Sequence, residues 1–368
     1  MPHGTHSADA RIARLRETMA ARDVDLVALA PGAHMHWLLG WHPHPDERAT
    51  FVLVGREAAA VVVPSVNAED MRAHADLPCF TWKDEDGPGR ALAEALDACG
   101  AGPGDRLSLD ETARADAALA LLRALGSLDC GFASETVGAL RAIKDADEIA
   151  ALRRSAAVAD AALLAGLDAM RPGMSERAVA AAIRDEFARN GVSGSFTLVA
   201  GGPNGAFPHH STGDRALREG DAVVIDLGGP LAHFASDMTR MAILGDGPQG
   251  YAEVHAIVEE AVLAAMAAAR PGVAAKAVDA AARGVIEKAG YGEFFVHRTG
   301  HGLGLEVHEP PYLTATSETI LEPGMVFSIE PGIYLPGRFG IRLEDIVVLE
   351  EDGPRVLSAL PRAVRRIG

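Results

Sequence analysis

Three short apolar runs mark the early part of the chain: Asp25 to Ala30 (DLVALA), Thr50 to Gly55 (TFVLVG) and Ala59 to Pro64 (AAVVVP). Continuous apolar residues over such lengths, rich in Val and bounded by turn formers, predict buried strands. Gly89 to Cys99 is rich in Ala and Leu and predicts a helix. Mixed strand-like and helix-like segments predict a small α/β domain over residues 1–140. A boundary falls near Ser134 to Ile143. A long helical pattern from Lys144 to Met170 then opens a second domain, 141–368.

The second domain repeats itself. Arg171-Pro-Gly-Met-Ser-Glu-Arg-Ala-Val and Arg270-Pro-Gly-Val-Ala-Ala-Lys-Ala-Val share one register. Each copy follows one helical stretch and opens another, with Pro-Gly as punctuation, and each leads into strand-like segments. The expectation is two duplicated helix-plus-sheet halves related by a pseudo-two-fold. A site where such halves meet would draw ligands from both.

Those strand-like segments carry acids. Val223-Val-Ile-Asp226-Leu-Gly-Gly and Ser236-Asp237-Met-Thr-Arg-Met-Ala-Ile-Leu244 flank a short Gly-Gly-Pro connection, which predicts a hairpin with Asp226 and Asp237 side by side. Met325-Val-Phe-Ser-Ile-Glu330 and Gly340-Ile-Arg-Leu-Glu344-Asp-Ile-Val-Val-Leu349 repeat the arrangement, each read as one strand. Asp is depleted in strands, and an uncompensated buried carboxylate is strongly unfavourable. Either each acid faces solvent or pairs with an arginine such as Arg240 or Arg342, or the four converge. Converging carboxylates repel unless a cation neutralises them. Four negative charges match two divalent ions bound through oxygen. Mn²⁺, Co²⁺, Zn²⁺ and Fe²⁺ are the candidates.

Histidines add to this pattern. His297-Arg-Thr-Gly-His301-Gly-Leu-Gly-Leu-Glu-Val-His308-Glu interleaves imidazoles with glycines that let the backbone approach a ligand closely. The turn-rich stretch from Gly201 to His209-His210 could present a further imidazole to a cleft. His3 and His6 read as part of an N-terminal tail.

Composition narrows the class. The chain has 368 residues, 48% of them hydrophobic and 23% charged, with a formal net charge of −17. That acidity argues against nucleic-acid binding. No apolar run is long enough to cross a bilayer, and the N-terminus has no signal-peptide core, so a cytoplasmic protein is expected. Cys79, Cys99 and Cys130 are odd in number and widely spaced, which argues for reduced thiols over a disulfide framework.

Taken together, IDLGG, SDMTR, HRTGHGLGLEVHE, SIEPGIY and GIRLEDIVV resemble the five-ligand site of the pita-bread metallopeptidases, the creatinase/aminopeptidase P/prolidase group. The resemblance covers roughly residues 145–368. Trp37-Leu-Leu-Gly-Trp and Pro45-Asp-Glu-Arg48 are similar to the creatinase-type N-terminal domain. The implied fold class is α/β (α+β): a pita-bread catalytic domain of two repeated halves around a curved, mainly antiparallel sheet, with a smaller creatinase-like α/β domain before it. The resemblance implies Asp226 on one metal ion, His301 and Glu330 on the other, and Asp237 and Glu344 bridging both. It implies hydrolysis of an Xaa-Pro bond in dipeptides or short peptides, through attack by a metal-bridging hydroxide. Glu330 would shuttle the proton, and His209 and His308 would bind substrate and stabilise the intermediate. His297 and Arg342 would help hold the substrate, and Thr239 and Arg240 would brace the ligands. Only one of the adjacent pair His209 and His210 need face the cleft. A homodimer is also implied, with His42, His44 or Arg48 reaching a partner's site. A small non-peptide amide, or a lyase reaction, on the same two-metal fold is the alternative.

Overall fold

The structure, a computed structural model, describes residues 7–368 and divides into two compact units after Arg141. His3 and His6 lie outside the described residues. The first unit runs α1 (Ala8–Arg22), β1 (Leu26–Leu29), α2 (Ala33–Leu39), β2 (Phe51–Gly55), β3 (Ala59–Pro64), α3 (Ala68–Arg72), β4 (Cys79–Trp82), α4 (Gly89–Ala98), β5 (Leu107–Leu109), α5 (Ala115–Leu125) and β6 (Cys130–Phe132), with α6 (Val137–Ala142) at the boundary. Its six strands form one sheet in the order β4-β3-β2-β1-β5-β6. β1, β2 and β3 are buried at every position, which is why their runs carry no polar alternation. Leu92 and Leu96 of α4 and Leu121, Leu122 and Leu125 of α5 cover Leu26, Phe51 and Leu53 of the sheet.

Helix α1 has no counterpart among the expected elements. Ser7 caps it by accepting from the Ala10 amide, and Ile12, Leu15 and Met19 form its buried stripe. The stripe is narrow between charged neighbours, so the segment reads as polar tail. Cys79, Cys99 and Cys130 are all free thiols.

The second unit continues with α7 (Ala146–Ala169), α8 (Glu176–Arg189), β7 (Phe196–Gly201), β8 (Ala222–Gly228), β9 (Asp237–Leu244), α9 (Tyr251–Ala268), α10 (Ala275–Lys288), β10 (Gly300–Gly302), β11 (Glu309–Leu313), β12 (Val326–Ile329), β13 (Gly332–Leu335), β14 (Phe339–Arg342), β15 (Asp345–Glu350), β16 (Gly353–Val356) and β17 (Arg365–Ile367). Helix α7 starts with a capping box, Asp145 and Glu148 satisfying each other's backbone amides. The sequence repeat is also a repeat of hydrogen bonds. The Gly173 amide donates to Leu217 O at 2.7 Å and the Gly272 amide to Leu321 O at 2.8 Å. The Arg177 and Lys276 amides likewise donate to Gly213 O and Ser317 O, both at 3.0 Å. Each half therefore pairs a helical hairpin with a strand system that it closes in the same way.

One sheet has the order β17-β9-β8-β7, and the other β11-β10-β12-β15-β16. All their pairings are antiparallel except β17 with β9. The sheets meet at a bridge between Thr239 and Glu344. That junction corrects one expectation. Gly340 to Leu349 is not a single strand: β14 ends at Arg342, β15 begins at Asp345, and Glu344 occupies the break between them. β14 instead forms a hairpin with β13. No helix among the described residues is long and apolar enough to cross a membrane.

Candidate active site

The hairpin of β8 and β9 positions the first two acids. Asp226 sits opposite Thr239, and Gly228 opposite Asp237. Asp226 and Asp237 are therefore diagonal neighbours on one sheet face, with Thr239 between them, and not directly opposed. Glu330 follows β12, whose partner β15 follows Glu344, so the second pair arrives from the other sheet. His301 is the middle residue of β10. A Cβ at Gly300 would lie 2.0 Å from Ser328 O, and one at Gly302 would lie 2.3 Å from Pro310 O. Only glycine lets β10 sit this close to its neighbours.

The five side chains converge. Asp226, Asp237 and Glu344 place ligand oxygens within 4.8 Å of one another, and so do the ligand atoms of His301, Glu330 and Glu344. The two triads share Glu344. His301 Nε2 lies 3.1 Å from Glu330 Oε1 and 3.7 Å from Asp237 Oδ2. Its Nδ1 faces Gly302 O at 3.1 Å, so Nδ1–H donates there. In the neutral ring Nε2 then presents a lone pair to carboxylate oxygens, which only accept. Asp226 Oδ1 and Glu344 Oε1 are buried without hydrogen-bond partners among the described residues. Lone pairs aimed at one another and orphaned carboxylate oxygens are a donor set made for cations. The residues fit divalent metal ions.

The electrostatics agree. Burial, then the neighbouring acids Glu344, Asp226 and Glu330, push the Asp237 carboxyl well above its usual range. Burial and the charges of Glu330 and Asp226 do the same to Glu344. Asp226 is raised by burial against the pull of Arg342. Burial would raise Glu330 too, but its contact with His301 at 3.1 Å and the charge of Arg342 bring it down to about 2. Three of the four acids thus resist ionisation until a positive charge arrives, and the fourth is held ionised by its neighbours.

A cavity of about 730 Å³ opens over this cluster. His209, His297, His308 and Arg342 reach its lining, as do the apolar Phe196, Leu198 and Val307. His308 lies 4.1 Å from His301, centroid to centroid. Burial, then the charges of His301 and Arg298, lower its pKa to about 4, so its ring is neutral near pH 7. His210 also lines the cavity, but its Nε2 is tied to Glu176 Oε2 at 3.0 Å, which leaves His209 as the exposed member of the pair.

Two residues singled out for bracing differ in what they do. Thr239 donates to Glu344 Oε2 at 2.7 Å and accepts from Arg342 Nε at 3.0 Å. Arg240, its neighbour in β9, points to the opposite face, because side chains alternate along a strand. There it pairs with Asp345 at 2.6 Å and donates to the Glu344 carbonyl, so it supports the backbone of Glu344 from behind.

Tyr334 is a site residue that sequence reasoning missed. Arg342 donates to Asp226 Oδ2 at 2.6 Å and to Tyr334 Oη at 2.8 Å. Tyr334 Oη lies 2.8 Å from His297 Nε2, and His297 Nδ1 donates to Arg298 O at 2.7 Å. With Nδ1 the donor, Nε2 accepts from the tyrosine, which makes His297 neutral, in line with the lowering of its pKa by burial. Tyr334 was in view within SIEPGIY, but nothing local shows that its hydroxyl reaches the far strand. In the first unit, Arg48 is bound to Asp84 at 2.9 and 3.0 Å, and the His42 ring meets His36 edge-on at 5.3 Å.

Comparison with known proteins places this geometry. Residues 150–351 match Metallopeptidase family M24, and residues 11–143 match the Creatinase/Prolidase N-terminal domain. The chain is 40% identical over 370 residues to a protein of Mycobacterium tuberculosis named probable dipeptidase PepE, covering 97% of each. It is 31% identical to the Xaa-Pro dipeptidase of Pyrococcus horikoshii, covering 96% of this chain and 97% of that one. The crystal structure of dipeptidase PepE from Mycobacterium ulcerans superposes with a TM-score of 0.92 at 36% identity, over 98% of this chain and 97% of that one. With both domains matched and a cation-ready cluster between two repeated halves, the chain belongs to metallopeptidase family M24, with a creatinase-type domain preceding a pita-bread domain.

Proposed function

We propose that the chain hydrolyses the Xaa-Pro bond of dipeptides and short peptides, as a prolidase or aminopeptidase P does. The observation that carries this is the cluster of Asp226, Asp237, His301, Glu330 and Glu344, with its orphaned oxygens and opposed lone pairs, at the base of a cavity of about 730 Å³. That volume suits a ligand of dipeptide size. The proline preference is supported by the relative from Pyrococcus horikoshii that is named an Xaa-Pro dipeptidase.

In this reading Asp226, Asp237, His301, Glu330 and Glu344 would hold the ions. Bound ions of this kind polarise a carbonyl and lower the pKa of water toward neutrality. Glu330, held ionised, accepts a proton from the attacking water and passes it to the leaving proline nitrogen. His308, neutral near pH 7, keeps an N–H for the developing oxyanion. His209 holds the substrate from the opposite loop. Arg342 is shared between Asp226 and Tyr334 and adds positive charge for the substrate carboxylate, with His297 behind it. Mn²⁺ is the metal we assign, and the active form is a homodimer in which His42, His44 or Arg48 reaches a partner's site.

Hydrolysis of Gly-Pro, Ala-Pro and Ala-Pro-Ala is the test, with metal-stripped protein and after adding Mn²⁺, Co²⁺ or Zn²⁺. Metal-dependent release from the dipeptides alone establishes a prolidase, and cleavage of the tripeptide as well establishes an aminopeptidase P. No cleavage despite bound metal overturns the substrate and leaves the metal site standing. Size-exclusion chromatography at assay concentration showing only monomer overturns the dimer.

A further inference from the structure

Glu176 is the first residue of α8 and is fully buried, yet it faces no lysine or arginine within ion-pair distance among the described residues. Its Oε1 accepts from the Gly201 amide at 2.8 Å and from Asn204 Nδ2 at 2.8 Å. Its Oε2 accepts from His210 Nε2 at 3.0 Å and from the Gly213 amide at 3.2 Å. A buried carboxylate persists only where its oxygens are satisfied, and here each oxygen has two donors. All four donors belong to one segment, the loop that leaves β7 at Gly201 and carries His209. Glu176 clasps its start, its middle and its end.

The internal repeat shows that the local fold does not require this acid. The equivalent position in the second half is Ala275. There α10 starts after the same turn, closed by the Ala275 amide to Thr319 O at 2.8 Å, and the first half makes the matching bond from the Glu176 amide to Arg215 O at 3.0 Å. The turn closes with either side chain. What differs is the loop beyond it, which in the first half presents a histidine to the cavity. Other ties reach this loop as well: Pro208 O accepts from Arg342 Nη1 at 3.3 Å, Thr212 Oγ1 accepts from the Val199 amide at 2.8 Å and donates to Thr197 O at 3.3 Å, and Gly213 O accepts from the Arg177 amide at 3.0 Å. None of these holds the imidazoles.

We propose that Glu176 is a positioning residue for substrate binding: by holding His210 and both ends of the loop, it leaves adjacent His209 a single presentation toward the cavity. The inference rests on the reading of His209 as a substrate-binding residue. Glu176 itself touches neither substrate nor metal ligands.

The test is a double-mutant cycle in the full-length, Mn²⁺-loaded enzyme on Ala-Pro, comparing Glu176→Gln, His209→Ala and the pair, with bound metal and Tm measured for each. Glu176→Gln keeps the volume but presents an N–H₂ to donors. The expected result is a tenfold or greater loss of kcat/KM, carried mainly by KM, at unchanged metal content. In the His209→Ala background the same substitution should cost less than twofold, because the residue it positions is already gone. An equal loss in both backgrounds, or no loss in the wild-type background, overturns the inference while leaving the role of His209 intact. A His209→Ala enzyme as active as wild type overturns that role, and this inference with it. If Glu176→Gln does not fold, His210→Leu, which removes one of the four ties, takes its place in the cycle with the same criteria.

Discussion

At the scale of single residues, Thr239 shows how little chemistry is needed to hold a charged site in order. Its hydroxyl donates to Glu344 and accepts from Arg342, so one oxygen links an acid of the cluster to a guanidinium. Thr239→Val removes both bonds at nearly constant volume. Loss of such a brace weakens metal affinity by about 10–100-fold, and titration of metal-stripped protein with Mn²⁺ should show a shift of that size. A second residue makes a pH prediction in the first unit. Partial burial would raise the Glu111 carboxyl, but the His34 imidazole 3.8 Å away and the residue's own backbone amide pull it from 4.5 down to about 2. A depressed carboxyl stabilises the fold above its unfolded pKa, and that stability is lost as pH falls through the folded value. Thermal melts should therefore fall off between about pH 4.5 and pH 2, and Glu111→Gln should flatten that limb. Glu111→Gln melts as steep as wild type across that range would refute the assignment.

Among the elements, β10 is the most tightly constrained. It is only three residues long, and glycines flank the histidine at its centre. An added methyl at Gly300 or Gly302 would meet backbone atoms of the adjacent strands β12 and β11, which cannot swing aside as a side chain can. Gly300→Ala should therefore displace His301, lowering bound Mn²⁺ and costing about 1–3 kcal/mol of stability from overpacking. Metal analysis and denaturant unfolding of the variant check both effects; an alanine variant with wild-type metal content would mean that β10 has room to shift. The break between β14 and β15 makes a related point. Glu344 reaches the cluster because the strand stops around it, and the backbone there bonds across to Thr239 of the other sheet.

In the whole molecule, the ligands come from both halves of the repeat, Asp226 and Asp237 from one and His301, Glu330 and Glu344 from the other. A cation bound among them ties the halves together. Without it, acids whose ionisation burial and mutual repulsion oppose are left facing each other. Stripping the metal with a chelator should lower Tm, and restoring Mn²⁺ should recover it. At a free concentration of a hundred times Kd the gain is about 2.7 kcal/mol. A Tm unchanged by stripping would mean that the halves hold together without a shared cation.

The chain's own pattern already singles out the candidates for the chemistry. Acids inside apolar strands and histidines among glycines are visible because they break local rules, and rule-breaking side chains need a partner. The duplicated Arg-Pro-Gly turns were legible for the same reason, since local hydrogen bonding and backbone preference set such turns. Helix α1 was not, because its buried stripe is too sparse to stand out from charged neighbours. Only the tertiary structure decided which side chains meet. Arg342 and Asp226, Tyr334 and His297, and Glu176 and His210 are pairs far apart in the chain, brought together by sheet register and by the meeting of two halves. Periodicity reports which face a residue occupies. The residue across from it is set by how the elements dock, and that depends on the whole chain at once.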